Sequence, residues 1–396
     1  MEWQLAQEIE ENVHIPENWL YLYYYEALTL LFRIENALRT LVFVVLKSNH
    51  QDKWLDLQIS SDDGGETTIS ALAKKRSSQD ETFGYLGTRT NSPLMYLTSG
   101  ELVRLITAEP YWPQFAGYFP AAKSVVLLKL QEIGNVRNTL AHFRPLQPGD
   151  VEVVKQNANQ VLSSIEEVLV EAITTGDVVP TNTTLPWYKN LSGLGSELVN
   201  VAFGQSRDQK WLRLSLTFSC APLSMRPSRP SIYAMYDVPS LASPEVLRLY
   251  PDITKSVLFL TEEVPYSGYQ ISYDYTFQKT LRFTFTSDTL VSQHEALRSQ
   301  FQDLISRMTS EANLIREDNL ARGTLVGTTR AFARATKHDD HTSWQFETSL
   351  LERPVQTGDP PEYWGNLTAR GTNFISDTQE FPWMPVKVSK MAAIPF

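Results

Sequence analysis

Residues 19–47 read WLYLYYYEALTLLFRIENALRTLVFVVLK, and the first half of the chain takes its character from them. Leu28, Leu31, Leu38, Leu41, Val42 and Val45 recur at three- and four-residue steps, the period of an α-helix with one side turned inward. No Gly or Pro interrupts the run. Glu35 and Arg39 stand four residues apart, so they can pair along one face. The apolar side is wide, and the helix is therefore expected to be buried against more than one neighbour.

Downstream, residues 48–97 change texture. Leu55, Leu57 and Ile59 alternate with polar residues, Asp62–Asp63–Gly64–Gly65 makes a turn, and Thr67–Ile69 follows, the pattern of a short hairpin. Lys74–Lys75–Arg76 is the most concentrated basic run. The whole segment reads as an insertion between helices. Thr98 or Ser99 can cap a helix reaching about Ala108, which Pro110 and Pro113 end. A further helix is expected from about Pro120 to His142, and a last one from Asp150 to near Gly176. Residues 1–176 thus make a helical bundle of four main helices carrying the 48–97 insertion.

Residues 177–205, rich in Thr, Asn, Pro, Gly and Ser, read as a linker. Beyond them, Trp211–Ser219 and Tyr269–Thr286 alternate apolar and polar side chains with many β-branched and aromatic residues, as strands do. Ser231–Tyr236, Thr254–Leu260, 324–335 and 342–351 are expected to be strands as well, and Ser292–Leu320 a long amphipathic helix. The fold class expected is therefore a helical bundle followed, over 206–396, by a mixed and mostly antiparallel α+β domain with one long helix. The Pro- and Trp-rich tail shows no usable period.

The formal net charge is -10, which opposes non-specific adhesion to nucleic acid. A nucleic-acid enzyme with this balance needs a locally basic cleft or must select its substrate by shape. The single cysteine, Cys220, excludes an internal disulfide framework and an all-cysteine zinc site. No apolar run approaches the roughly 20 residues that span a bilayer, and the acidic start of the chain has no signal-peptide pattern. No membrane association and a cytoplasmic location are expected.

The chemistry lies at residues 137–143, RNTLAHF. Arg137, Asn138 and His142 near the end of a late helix resemble the ribonuclease signature of the HEPN superfamily, whose domains are small helical bundles. The context is similar too. The IENALR core of the first helix resembles that family's first helix. LTSGELVRLI and YWPQFAGYF within Leu97–Phe119 resemble the segment before its Arg–His helix, and HFRPLQPGD resembles the exit into its last helix. The resemblance covers roughly the first 175 residues; the remainder resembles no family we identify. It implies a metal-independent endoribonuclease of the prokaryotic toxin or phage-defence, abortive-infection type. It also implies a homodimer formed through the helical domain, with both motifs lining one cleft, and products ending in a 2′,3′-cyclic phosphate and a 5′-hydroxyl.

The residue types suit that reaction. RNA carries its own nucleophile in the 2′-OH. Histidine titrates near neutrality and can take or give the required protons. A guanidinium stays charged and can grip phosphoryl oxygens. Asn138 would orient the histidine or contact the phosphate, and Glu35 or Glu26 could pair with Arg137 and fix its rotamer. Arg137 and His142 lie five residues apart, about 140° around a helix axis, so either the helix ends between them or a second copy completes the site. The implied partner is RNA, with no cofactor and no metal.

Each feature has a plainer reading. Arg137 and His142 also suit the last turn of any helix, where cations favour the dipole. Lys74–Lys75–Arg76 either meets RNA phosphates or is an ordinary exposed loop, and Arg144 is a further candidate for RNA contact. His338–Asp339–Asp340–His341 has metal-ligand residue types but reads better as a solvated turn between strands. The stripe Tyr266, Tyr269, Tyr273, Tyr275 and Phe277 reads better as sheet packing than as a base-stacking platform. The 206–396 domain is expected to sense a trigger ligand, restrain the nuclease or bind a regulatory protein. The rivals to the ribonuclease are a non-catalytic nucleotide-, RNA- or partner-binding module and an assembly protein that uses the bundle only to dimerise.

Overall fold

The computed structural model describes residues 7–9, 12–14, 22–62, 65–82, 90–142, 144, 146–174, 180, 183–228, 233–264, 276–317, 323–337, 342–347, 353–367, 374–377 and 381–384. Strands β1 (Gln7–Ile9) and β2 (Asn12–His14) pair antiparallel. The periodic stretch forms α1 (Leu22–His50), and Leu41 to Leu46 are completely enclosed, as its wide apolar side requires. Glu35 and Arg39 do form the ion pair their spacing allows.

In the insertion, β3 (Gln58–Ser60) and β4 (Glu66–Thr68) make the expected hairpin. The rest departs from expectation. Lys74–Lys75–Arg76 sits on a helix, α2 (Ile69–Thr82), not on a loop. Ile69, Leu72 and Ala73 are buried, and that burial gives α2 a face to fold on. Next come α3 (Ser99–Thr107), the single turn α4 (Trp112–Phe115), α5 (Lys123–Ala141) and α6 (Pro148–Thr174). Thr98 caps α3 through a reciprocal capping box with Glu101. The apolar residues Leu130, Ile133 and Val136 of α5 and Val154, Val161 and Ile165 of α6 join α1 in one core.

The span 177–205 is not simply a linker. It contains α7 (Pro186–Leu191) and β5 (Val199–Gln205). Trp187 and Leu191 are buried, and β5 supplies one edge of a sheet, so polar composition hid two structured elements. There follow β6 (Trp211–Cys220), β7 (Ser224–Ser228), β8 (Tyr233–Leu241), α8 (Ser243–Leu249), α9 (Pro251–Ser256), β9 (Phe259–Glu263), β10 (Phe277–Thr286), α10 (Ser287–Arg316), β11 (Val326–Lys337), β12 (Thr342–Glu347), β13 (Tyr363–Gly365) and α11 (Phe374–Asp377). The expected strand at Thr254–Leu260 is corrected: residues up to Ser256 are helical, and the strand starts at Phe259. Pro251 at the first helical turn and Asp252 beside it are the local signals for that helix.

One sheet runs β13-β9-β10-β6-β5 and another β12-β11-β8-β7. Every described pairing is antiparallel except β13 with β9. This is a mixed, mostly antiparallel α+β arrangement. α10 covers the first sheet, where Phe301 meets Phe283 edge-on at 5.1 Å. Among the described residues no helix is long and apolar enough to cross a membrane.

The core of the helical half extends into the second half, whose sheets also carry hydrophobic clusters of their own. Phe43 of α1 packs against Trp54 at 5.3 Å, Trp364 at 5.6 Å and Trp383 at 5.3 Å. Trp364 in turn stacks on Phe259 of β9 at 3.9 Å. Phe374, Ile375 and Phe381 are buried in the same cluster as α1 and α6. Polar ties cross the same junction: Lys47 of α1 bonds to Glu362 at 2.7 Å and to the Thr254 carbonyl at 3.0 Å, and Arg33 donates to the Ile375 carbonyl. The tail without a period thus helps to fasten the sheets to the helices, beside direct ties such as Arg213 of β6 to the Ile173 carbonyl of α6.

Candidate functional site

The signature helix α5 stays helical through Ala141, and His142 closes it, its amide donating to the Asn138 carbonyl at 3.1 Å. The Arg144 amide then bonds to the Thr139 carbonyl at 3.0 Å, which tightens the exit. The helix therefore does not end between Arg137 and His142, and their side chains leave the axis about 140° apart.

On the Arg137 side lies a cleft of about 610 Å³ between α1, α3 and α5. Glu35, Arg137 and Asn138 line it. The Glu35 carboxylate is shared: one oxygen takes Arg39, the other accepts from the Ser99 hydroxyl at 2.6 Å and lies 4.0 Å from Arg137 Nε. Arg137 also donates to the Asn138 side-chain oxygen at 3.4 Å. Arg39 is buried and also donates to the Leu94 and Leu97 carbonyls and to the Asn36 side-chain oxygen. Burial, with a smaller push from the charge of Arg137, lowers its pKa, and Glu35 opposes both. Glu35 thus fastens α1 to α3, and the oxygen that accepts from Ser99 also faces Arg137.

The other expected site residues lie elsewhere. Glu26 pairs with Lys155 of α6 at 2.7 Å rather than with Arg137, which is met by Glu35 instead. His142 is exposed at the end of α5 and does not line the cleft. Arg144 is exposed just beyond it. Lys74 and Lys75 are exposed on α2, but Arg76 is turned inward, clasping the fully buried Glu101 at 2.6 and 2.8 Å. Its role is structural, because a buried carboxylate without that partner would be costly. Residues 338–341 and Tyr266, Tyr269, Tyr273 and Tyr275 lie outside the described residues; Phe277 packs near Tyr236 at 6.3 Å. Among the described residues no cluster of three or more His, Cys, Asp or Glu is placed to hold a metal.

Sequence reading missed several residues that line the cleft. Asp62, at the hairpin end, pairs with Arg104 of α3 at 2.5 Å and accepts from Thr98 at 2.9 Å. These partners lie 42 and 36 residues along the chain from Asp62, so no local pattern announces them. Gln131 and Asn135 also line the cleft, one and two turns before Asn138. The spacing of Gln131, Asn135 and Asn138 puts three amides on one side of the helix, and that pattern was a usable signal. The ionised lining residues are Glu35, Asp62, Arg104 and Arg137, so the cleft is locally balanced rather than basic.

Burial alone would raise the Asp62 carboxyl. Hydrogen bonds from Arg104 and Thr98, and the charges of Arg104 and Arg76, outweigh burial and hold it below its ordinary value. The stability this carboxylate supplies is therefore complete above its unfolded value of about 3.9 and is lost as pH falls through the lower folded value. The pair is half exposed, so its worth is about 1 kcal/mol or less. Asp62→Asn is expected to melt slightly below wild type at neutral pH and to converge with it below about pH 4. A gap that stays constant into acid would contradict this, and thermal melts across the pH range measure it.

Comparison with family models, with curated proteins and with solved structures found no match.

Proposed function

We propose that the chain is a metal-independent endoribonuclease of the HEPN type, acting as a toxin or phage-defence effector on cytoplasmic RNA. The observation that carries the reading is the placement of Arg137 and Asn138 on the wall of the cleft, with Glu35 of α1 facing the guanidinium. A guanidinium held this way is pre-aimed at an anion and costs little to reorganise when charge builds on a phosphoryl group.

Cleavage would run as follows. An imidazole removes the 2′-hydroxyl proton, the 2′ oxygen bonds to phosphorus, the bond from phosphorus to the 5′ oxygen breaks, and that oxygen takes a proton. The products end in a 2′,3′-cyclic phosphate and a 5′-hydroxyl. One copy of α5 does not aim His142 at the Arg137 cleft, so the proposal includes a homodimer in which a second copy brings its imidazole to that cleft. The outward face of α5 suits such a seam: Leu128 is 52% exposed there, on the same side as His142. The half built on the two sheets would restrain or trigger the nuclease by binding a regulatory protein or ligand. Its shared core with α1 supports that coupling.

The position of His142 also favours a second reading, in which the cleft binds RNA or a nucleotide without cutting it. Incubation of the full chain with total RNA in EDTA separates the two. Chelator-resistant cleavage yielding cyclic phosphate ends, and lost in His142→Ala, is the expected result. RNA that is bound but stays intact in every condition would reject the ribonuclease and leave the binding module.

A further inference from the structure

A chain of net charge -10 that handles RNA needs a basic place for the strand, yet the cleft is balanced. The balance comes from two carboxylates held in different ways. Glu35 is locked, with Arg39 on one oxygen and the Ser99 hydroxyl on the other. Asp62 is half-exposed, and so is its main partner, Arg104, at 2.5 Å; the Thr98 hydroxyl donates to its other oxygen at 2.9 Å. The backbone of Asp62 is fixed separately, its amide donating to the buried Glu101 at 3.1 Å. The carboxylate can therefore swing into solvent by side-chain rotation alone, with the hairpin still docked. A half-exposed ion pair is worth little, so the swing costs little. Arg104 keeps its place when Asp62 leaves, because its Nε donates to the Ser60 carbonyl at 3.1 Å.

The two guanidiniums of the cleft stand in different states. Arg137 is loosely met, 4.0 Å from Glu35 and 3.4 Å from the Asn138 oxygen, and is open to an anion as it stands. Arg104 already holds one, the Asp62 carboxylate. Carboxylate and phosphate offer a guanidinium the same paired oxygens. We propose that Arg104 is a second phosphate-binding residue of the cleft, and that Asp62 occupies its fork until an RNA phosphate displaces it. RNA as the ligand rests on the reading of the cleft given above. With Asp62 turned out, two cations face one locked acid, so the cleft becomes basic as the strand arrives. The ligand class is then a strand with at least two phosphates, one at Arg137 and another at Arg104. A mononucleotide phosphate would meet Arg137 and leave Asp62 in place.

Fluorescence anisotropy of a short labelled single-stranded RNA, titrated with the full chain in EDTA across a salt series, tests this. Every protein carries His142→Ala, which keeps the strand whole if the chain cuts. Asp62→Asn is expected to bind about fivefold tighter, because RNA no longer has to displace an ion pair. Arg104→Ala is expected to bind more weakly, and to lower the slope of log affinity against log salt by about 0.7, the share of one phosphate contact. In the Arg104→Ala background the gain from Asp62→Asn should shrink to about twofold or less, what remains being plain removal of charge. Asp62→Asn binding no tighter than its parent, a gain of full size without Arg104, or an unchanged salt slope in Arg104→Ala would overturn the proposal. Failure of every one of these proteins to bind RNA would overturn it together with the RNA reading. The expected shifts in a chain that cuts nothing would remove the ribonuclease and leave this inference. Cleavage that depends on His142, without the shifts, would do the reverse.

Discussion

Arg137→Ala and His142→Ala are each expected to slow RNA cleavage by about 10²–10⁴-fold, with the fold unchanged. The size follows from the roles. In the proposed reaction an arginine aimed at the developing phosphoryl charge and a histidine moving a proton would both act in the transition state and contribute little to holding the ground-state substrate. Neither side chain supports the core: Arg137 is 40% exposed and His142 lies at a helix end in solvent. A loss of activity in either variant therefore reports on chemistry. Circular dichroism and the melting midpoint should match wild type, while the rate of appearance of cyclic phosphate ends should collapse. If either variant kept wild-type activity, its residue would have no part in the reaction.

Phe43→Ala is expected to cost about 3–5 kcal/mol, and to loosen both halves of the chain together. Phe43 is fully buried on α1 and touches rings from three separate segments: Trp54 after the helix, Trp364 in β13 and Trp383 near the chain's end. The cavity left by truncation would sit at the junction, not inside one half. Lys47, one turn further on, places a buried ion pair with Glu362 across the same junction, and such a pair is specific in position because neither charge tolerates burial alone. Denaturation followed by tryptophan fluorescence should give one transition at a lower midpoint. Two separated transitions, with only one shifted, would mean that the halves fold independently.

Much of the helical half was legible because its signals are local. The Gly- and Pro-free helical period, the cap expected at Thr98 or Ser99, the hairpin pattern around Ile59 and Thr67 and the paired Glu35 and Arg39 all act over a few residues, and the described residues follow them in α1, at Thr98, in the β3–β4 pair and in the ion pair. What stayed hidden depends on distant partners. Nothing near Arg76 says that it will meet Glu101, and nothing near Asp62 points to Arg104. The helix α7 and strand β5 were masked by polar composition, since β5 becomes a strand only by pairing with β6. Trp364 and Trp383 carry no periodicity because their order comes from docking onto α1. The site divides the same way: Arg137, Asn138 and Glu35 meet at the cleft, while His142 does not line it and joins it only through the second copy of the proposed homodimer.

That dependence gives the most direct test. If a cleft takes its guanidinium from one chain and its imidazole from another, Arg137→Ala and His142→Ala proteins, each nearly inactive alone, should regain cleavage when unfolded together and refolded as a mixture. The mixed dimer keeps one intact guanidinium and one intact imidazole that can face each other. Recovery of EDTA-resistant RNA cleavage in the mixture is the predicted result. A mixture that forms mixed dimers and stays as inactive as its components would contradict the shared site on which this account rests.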